Sequence, residues 1–278
     1  MKVAKSIAGL RGWRESQPGR VVLVPTMGAL HAGHAALIRS ARKLAGRRGA
    51  VVVSIFVNPT QFGPREDFPA YPRPFRNDLS ICRAAGADAV FAPAAMEMYA
   101  GDRSVAVEES VLSRVLCGRS RPGHFRGVCT VVAKLFLIVA PTHAVFGEKD
   151  WQQLAILRRM VRDLNFPVQV IGHPTIREPD GLATSSRNAY LTPAERTVAP
   201  RIHEALHSAA SKKAPAAIEG AARKAISAIP GARVDYVEAV DASTLQPLKN
   251  RQSPGRLAAA VILGKARLID NIPLPPRP

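Results

Sequence analysis

Cysteine is scarce in this chain. Cys82, Cys117 and Cys129 are odd in number and scattered, and no CxxC pair occurs. That argues against a disulfide framework and fits a reducing compartment. Buried structural thiols are the expected role, with reactivity of any one left open. No stretch approaches the length of a membrane span, so a transmembrane helix is excluded. The segment from Met1 to Trp13 mixes Lys2, Lys5 and Arg11 with isolated apolar residues and lacks the continuous apolar core of a signal peptide. A cytoplasmic protein with no membrane partner is therefore expected. Aromatic residues make up only 5% of the chain and are rarely interleaved with basic ones, as base stacking would require. No Gly-x-Gly-x-x-Gly follows a strand pattern, which leaves a dinucleotide site unsupported. No internal repeat is visible. Acidic residues are also few, 21 against 39 Lys and Arg, a net charge of +18. Such a charge permits nucleic-acid binding or attraction of anionic substrates. The basic residues are nevertheless dispersed, and the densest clusters, Arg39 to Arg48 and Arg119 to Arg126, are short and interrupted. Solvated basic faces, and no nucleic-acid partner, are the expectation.

What is present is a sizeable apolar fraction, 47% of 278 residues, enough for one large domain or two modest ones. Helical spacing predicts a short helix from Ser6 to Arg14. Apolar runs at Val21 to Val24 and Val51 to Val57 read as buried parallel strands. A helix is expected from Ala35 to Leu44, and another from Asn77 to Ala85 with Gly86 as its C-cap. Further strands are expected at Ala87 to Phe91, Val105 to Glu108, Ala144 to Phe146 and Val168 to Ile171. Helices are expected at Ser110 to Leu116, Val131 to Val139 and Trp151 to Leu164. The proline-rich, charged segment Arg65 to Pro74 reads as a mobile loop. This alternation predicts an α/β fold, a Rossmann-like doubly wound parallel sheet over residues 1–175. From Pro193 the texture changes to two Ala-rich helices, Pro193 to Ala210 and Ala216 to Ala228. Strands at Val234 to Val240, Leu257 to Leu263 and Ala266 to Ile269 follow. They imply a smaller α+β domain over residues 176–278, closed by a frayed tail from Pro273.

The most informative stretch is Pro25 to His34, PTMGALHAGH, between a predicted strand and a predicted helix. A helix N-terminus offers unpaired N–H groups and the positive end of a dipole, which suits phosphate. Imidazoles at positions 31 and 34 can donate hydrogen bonds as charge develops on a phosphoryl group. The same pattern also fits an ordinary βα turn. Zinc is disfavoured, since it needs three or four ligands and the cysteines lie far from this pair. A second strand-turn-helix junction follows at Gly147-Glu148-Lys149-Asp150, where Lys149 can act as a point charge on phosphate. Asn58 and Gln61 fall in a loop at the carboxyl end of a strand, the end where open α/β sheets bind ligands. Ser185, Ser186 and Arg187 make a plausible phosphate clamp.

These segments occur together in one order: PTMGALHAGH, FVNPTQFG (Phe56 to Gly63), RPGHFRGVCTVVAKLF (Arg121 to Phe136), FGEKDWQQL (Phe146 to Leu154), DGLATSSRNAYL (Asp180 to Leu191) and RLIDNIPL (Arg267 to Leu274). In that set the chain resembles the pantoate–β-alanine ligase family of HxGH nucleotidyltransferases. The resemblance spans nearly the whole chain. It implies ATP-dependent ligation of pantoate and β-alanine through a pantoyl adenylate, in a cytoplasmic homodimer. It assigns His31 and His34 to the ATP phosphates, with His34 also a proton donor, and places Met27 in the same nucleotide stretch. Gly147, Lys149 and Asp150 would bind ATP, with Lys149 on the phosphates. Ile176 would meet adenine through its backbone. Ser185, Ser186 and Arg187 would close over the phosphates. Gln61 and Gln153 would hold pantoate. Asp78 matches an acidic position near Mg2+–ATP. Pro74, where Thr is the usual residue, and Thr184, where an apolar residue is usual, depart from the family pattern. The alternative is a nucleotidyltransferase of the same superfamily with another acceptor; the glutamine pair separates the two.

Overall fold

A computed structural model describes residues 1–64, 66 and 68–277. The chain opens with β1 (Lys2–Ala4), a strand too short for the sequence pattern to show, and α1 (Ile7–Glu15). Ser6 caps α1 by accepting from the Gly9 N–H at 3.1 Å. Then come β2 (Val21–Thr26), α2 (Ala32–Ala45), β3 (Ala50–Ile55), α3 (Phe75–Ala85) and β4 (Ala89–Phe91). Gly86 ends α3 in the left-handed conformation, as expected, while Pro74 leaves its start without a side-chain cap. Two short helices, α4 (Ala95–Met98) and α5 (Cys117–Ser120), lead to α6 (His124–Val139). Strand β5 (His143–Gly147), α7 (Trp151–Asp163) and β6 (Gln169–His173) complete the first sheet.

All pairs in this sheet are parallel, in the order β1-β4-β3-β2-β5-β6. Strand residues alternate between faces. Val21, Leu23 and Val52 join the core built on α6 and α7, whereas Val22, Val24, Val51 and Val53 join the one beneath α2 and α3. Helices thus cover both faces, which explains the near-continuous valine runs. The order reverses direction between β2 and β5. That is the topological switch point, where the carboxyl ends of two strands leave a crevice.

Beyond β6 lie α8 (Pro193–Val198), α9 (Arg201–Ala209), α10 (Pro215–Ser227) and the strands β7 (Ala232–Asp241), β8 (Gly255–Leu263) and β9 (Ala266–Leu274). The three strands form an antiparallel sheet in the order β7-β8-β9. Val237, Ala239, Leu257, Ala259 and Val261 face the core shared with α9 and α10. Tyr236, Val240, Ala258 and Ala260 take the opposite face and enter the core of the first sheet. The smaller α+β unit is therefore packed against the Rossmann-like one through a continuous apolar contact.

Four expectations need correction. Val105 to Glu108 is irregular: Val105 is 85% exposed, and the Val107 N–H is taken by the Thr130 hydroxyl at 3.0 Å instead of a strand. The helix expected over Pro193 to Ala210 is two, because Pro200 cannot continue the first. The segment Ser110 to Leu116 holds only a 3-10 turn at Leu112–Arg114. Pro273 is not the start of a frayed tail: it pairs with Arg256, and Leu274 is buried. β9 is an edge strand, where a missing N–H is tolerated. Of the loop expected over Arg65 to Pro74, Arg65 and Asp67 lie outside the described residues.

Candidate active site

The turn after β2 is held from below. Asp78, in the first turn of α3, accepts the Ala29 N–H on Oδ2 at 3.0 Å and the Leu30 N–H on Oδ1 at 2.7 Å. It is 1% exposed, and burial raises its pKa despite these two bonds. Each carboxylate oxygen thus holds one N–H of the turn, and Asp78 lies directly beneath it.

The two histidines then cap α2 themselves. The His31 Nδ1 accepts from the Gly33 N–H at 3.2 Å, and the His34 Nδ1 accepts from the His31 N–H at 3.4 Å. It is a capping box made of imidazoles. A Cβ at Gly33 would lie 2.9 Å from the His31 Cε1, so a larger residue would displace the ring. Because each Nδ1 accepts, each proton resides on Nε2. Burial, followed by Lys149, lowers the His31 pKa to about 4; burial, then His31 and Lys149, lowers that of His34 to about 3. Both rings are neutral Nε2–H donors at neutral pH. The backbone N–H groups of Ala29, Leu30, His31 and Gly33 are engaged by Asp78 and the rings.

The junction after β5 stands across the switch point. Glu148–Asp150 form a 3-10 turn, with the Lys149 Nζ 3.8 Å from the Asp150 carboxylate. The second sheet pins this turn. The Asn271 Nδ2 donates to the Glu148 and Lys149 carbonyls, both at 2.9 Å. Arg256 pairs with Glu148 at 2.8 Å and stacks 3.6 Å over the Trp151 ring.

At the end of β3, Gln61 lies in a 3-10 turn, Pro59–Gln61, packed on α6 at Gly127, where a Cβ would come within 2.3 Å of the Thr60 carbonyl oxygen. The Gln61 Nε2 donates to the Met27 Sδ at 3.1 Å, and its Oε1 accepts from Asn58 at the same distance. Asn58 is itself fixed by Tyr99 and Gly127. The Gln61 carbonyl accepts from the His124 Nδ1–H at 2.8 Å. The His124 Nε2 accepts from Arg121 at 3.0 Å, and Arg121 clasps Glu66 with two bonds of 2.7 Å. Burial, then Arg121, lowers the His124 pKa to about 4. His124 is therefore a neutral positioning group for Gln61. Arg121 and His124 lie in the RPGHF segment, in the turn that leads into α6, and two basic side chains beside Pro122 and Gly123 were the signal that could have revealed them.

Gln152 and Gln153 diverge. Gln152 is buried, binding the Cys117 N–H and the Leu112 and Val115 carbonyls. Gln153 faces the cleft. On the far wall, Ser185 caps the 3-10 turn Ser186–Tyr190 by accepting from the Arg187 N–H at 3.2 Å. Asn188 ties that turn to Glu178 and the Ala183 carbonyl. The Ile176 carbonyl accepts from the Thr184 N–H at 3.0 Å.

These groups line one groove with two chambers. The smaller, about 240 Å3, brings Met27, His31, His34, Gln61 and Gln153 together with Gly147, Ile176 and Ser186. The larger, about 640 Å3, lies between the two sheets. Lys149, Asp150, Gln153, Ser185 and Arg187 border both. Of the sequence-derived site residues, only Asp78 lies apart, beneath the turn.

Comparison with known proteins agrees with this geometry. The Pantoate-beta-alanine ligase family profile matches residues 2–273. The pantothenate synthetase of Akkermansia muciniphila is 57% identical over 91% of this chain and 92% of its own length. That of Moorella thermoacetica is 50% identical over 99% of both. The crystal structure of pantothenate synthetase from Thermus thermophilus superimposes with a TM-score of 0.91 at 45% identity, covering 99% of this chain and 100% of that one. The pantoate-beta-alanine ligase of Francisella tularensis, complexed with beta-gamma ATP and beta-alanine, gives 0.82 at 35% identity, covering 98% and 97%. With HxGH turn, lysine junction, glutamine pair and serine-arginine loop brought to one groove, the chain belongs to the pantoate–β-alanine ligase family.

Proposed function

We infer that this groove joins pantoate to β-alanine using ATP, giving pantothenate, AMP and pyrophosphate. A carboxylate cannot acylate an amine directly, because its leaving group would be oxide. A pantoate carboxylate oxygen therefore attacks the α-phosphorus of ATP, pyrophosphate leaves, and a mixed anhydride forms. The β-alanine amine then attacks the activated carbonyl and AMP leaves. The protein aligns the reactants and neutralises the charge that develops.

The observation that supports this most directly is the meeting of His31, His34 and Lys149 with Gln61 and Gln153 in one chamber at the switch point. In our reading the two Nε2–H groups donate to phosphate oxygens and Lys149 supplies the charge. Gln61 and Gln153 hold pantoate, fixed by Met27 and Asn58. Ser185, Ser186 and Arg187 cover the phosphates, while Gly147, Asp150 and the backbone at Ile176 shape the nucleotide site. His34 serves as a hydrogen-bond donor; acting as a proton donor would require the charge of ATP to raise its pKa from about 3.

Among the described residues no group of three His, Cys, Asp or Glu is gathered at one point, and Mg2+ bound to phosphates needs few protein ligands. We propose that Mg2+ comes with ATP as its phosphate complex. A boundary near residue 175, a cytoplasmic setting and a homodimer complete the proposal. The three free thiols are in keeping with the second, and exposed Val111 and Leu137 offer apolar surface for the third. Pyrophosphate release from ATP tests the reading. Release that requires pantoate supports it; release that ignores pantoate and needs another acceptor overturns it.

A further inference from the structure

The two segments read above as facing the nucleotide, the backbone at Ile176 and the turn at Ser185 to Arg187, belong to the two arms of one hairpin. It follows β6 and precedes α8. The Thr184 N–H donates to the Ile176 carbonyl at 3.0 Å and the Glu178 N–H to the Leu182 carbonyl at 2.8 Å, with Arg177 opposite Ala183 in an antiparallel bridge. A ladder this short does not hold itself in place, so its position over the groove is set from outside. Asn188 and Arg196 tie the hairpin to the turn and helix that follow it. Arg177 reaches further, to the second sheet. Its guanidinium donates to Asp270 in β9 through two parallel bonds, Nη1 to Oδ2 at 2.7 Å and Nη2 to Oδ1 at 2.9 Å. Nη1 also donates to the Gly181 carbonyl at 3.1 Å, which joins both arms to the same fork.

Asp270 is 6% exposed. Burial alone would raise its pKa, but His203, with Nδ1 at 3.5 Å from Oδ2, and Arg177 hold it below the ordinary value. An ionised carboxylate clasped by a guanidinium fork fixes orientation as well as distance. Strand alternation then couples this joint to the opposite wall. Leu268 and Ile272, on the Asp270 side of β9, enter the core under α9 and α10, whereas Ile269 packs against the core of the first sheet. Asn271, on the Ile269 side, holds the Lys149 turn. Two neighbouring residues of one strand thus anchor the two walls of the groove.

We propose that Asp270 is a positioning residue for ATP, acting through Arg177 on the hairpin. The proposal rests on the reading that Ile176 and Ser185 to Arg187 meet ATP. The carboxylate fixes the fork, the fork fixes the two arms, and the arms present the Ile176 backbone and the serine-arginine turn at one separation. Pantoate, held by Gln61 and Gln153 from the first unit, is not served by this joint.

The test titrates the full chain calorimetrically with MgATP and measures KM for pantoate from pyrophosphate release. Asp270→Asn keeps the shape of the side chain but loses the charge and one acceptor. MgATP binding should weaken about tenfold, while KM for pantoate stays within about twofold. Arg177→Lys keeps the charge and loses the fork, so it should weaken MgATP in the same sense by about threefold. The double variant should lose no more than Asp270→Asn alone, because the two residues form one joint. If Asp270→Asn does not fold, Arg177→Lys carries the test. A folded Asp270→Asn that binds MgATP as the parent does overturns the proposal. So does an equal loss for MgATP and pantoate, which would mark a general loosening of the fold. A loss in Asp270→Asn that Arg177→Lys does not share, or losses that add in the double variant, overturns the path through Arg177. A parent chain that does not bind MgATP overturns the ATP reading itself, and so separates that failure from failure of the joint.

Discussion

Replacing Asn271 by Ala separates what the second sheet does for stability from what it does for the reaction. The Asn271 amide gives both N–H bonds, at 2.9 Å each, to the carbonyls of Glu148 and Lys149, and its oxygen accepts from Arg256 at 3.1 Å. The residue is 4% exposed. Each neutral hydrogen bond contributes about 1 kcal/mol net, and an orphaned buried carbonyl costs about 1–3 kcal/mol. The loss of both should therefore destabilise the fold by about 2–4 kcal/mol, most of it localised at the turn. The Arg256–Glu148 pair stays, so the chain remains folded. Catalytically the effect is larger, because the turn carries Lys149. A misplacement of about 1 Å in a positioning group costs about 100-fold in rate. Initial rates of pyrophosphate release at saturating ATP, pantoate and β-alanine should show the loss in kcat, with KM for pantoate little changed. Asn271→Asp should be worse than Ala, since carboxylate oxygens would face two carbonyls. A variant with a lowered melting temperature but kcat within about twofold of the parent would refute the reasoning, for then Lys149 does not depend on its carbonyl for position.

Three further outcomes are expected. His31→Asn keeps a capping acceptor for the Gly33 N–H but removes the Nε2–H; stability should hold while adenylate formation falls about 100-fold or more, and near-normal turnover would show the ring serves only as a cap. Asp78→Ala should cost about 2–5 kcal/mol by orphaning the Ala29 and Leu30 N–H groups, measured by urea unfolding, with no change in the Mg2+ concentration needed for half-maximal activity; a shifted requirement would give it a metal role. The third concerns pH. His31, His34 and His124 have folded pKa values of about 4, 3 and 4, below the 6.5 of the unfolded chain. Unfolding therefore takes up protons between these limits, so stability is full above about pH 6.5 and declines as pH falls towards 4, by at most about 1.4 kcal/mol per pH unit for each ring. Urea midpoints at pH 7, 6 and 5 should fall in that order, and a flat series would contradict neutral buried rings.

The first sheet was legible because its central strands are buried on both faces, and the valine runs at Val21 and Val51 have no other use. The HxGH turn, Lys149 and the serine-arginine loop were legible because each sits where a strand or turn meets a helix, a local pattern. What escaped was long-range. Asp78 supports a turn 48 and 49 residues away, and nothing in its own helix distinguishes a carboxylate facing two amides from one facing a cation. Asn271 acts on a junction more than 120 residues earlier. Val105 to Glu108 carries a strand-like alternation but finds no neighbour to pair with, and a strand exists only as half of a ladder. Pro273 reads as a breaker in the sequence and is harmless at an edge that the sequence does not mark.

The chain contains two tryptophans, and one of them stands at the joint between its halves. The Trp151 indole donates to the Ala242 carbonyl at 2.9 Å and lies beneath Arg256, so its ring is held by one sheet while its backbone begins a helix of the other. Any swing of the small unit must change the polarity around that indole. With Trp13 replaced by Phe, the protein becomes its own optical gauge. The emission of Trp151 would then report any change in the packing of the two halves when ATP is added, without any attached dye.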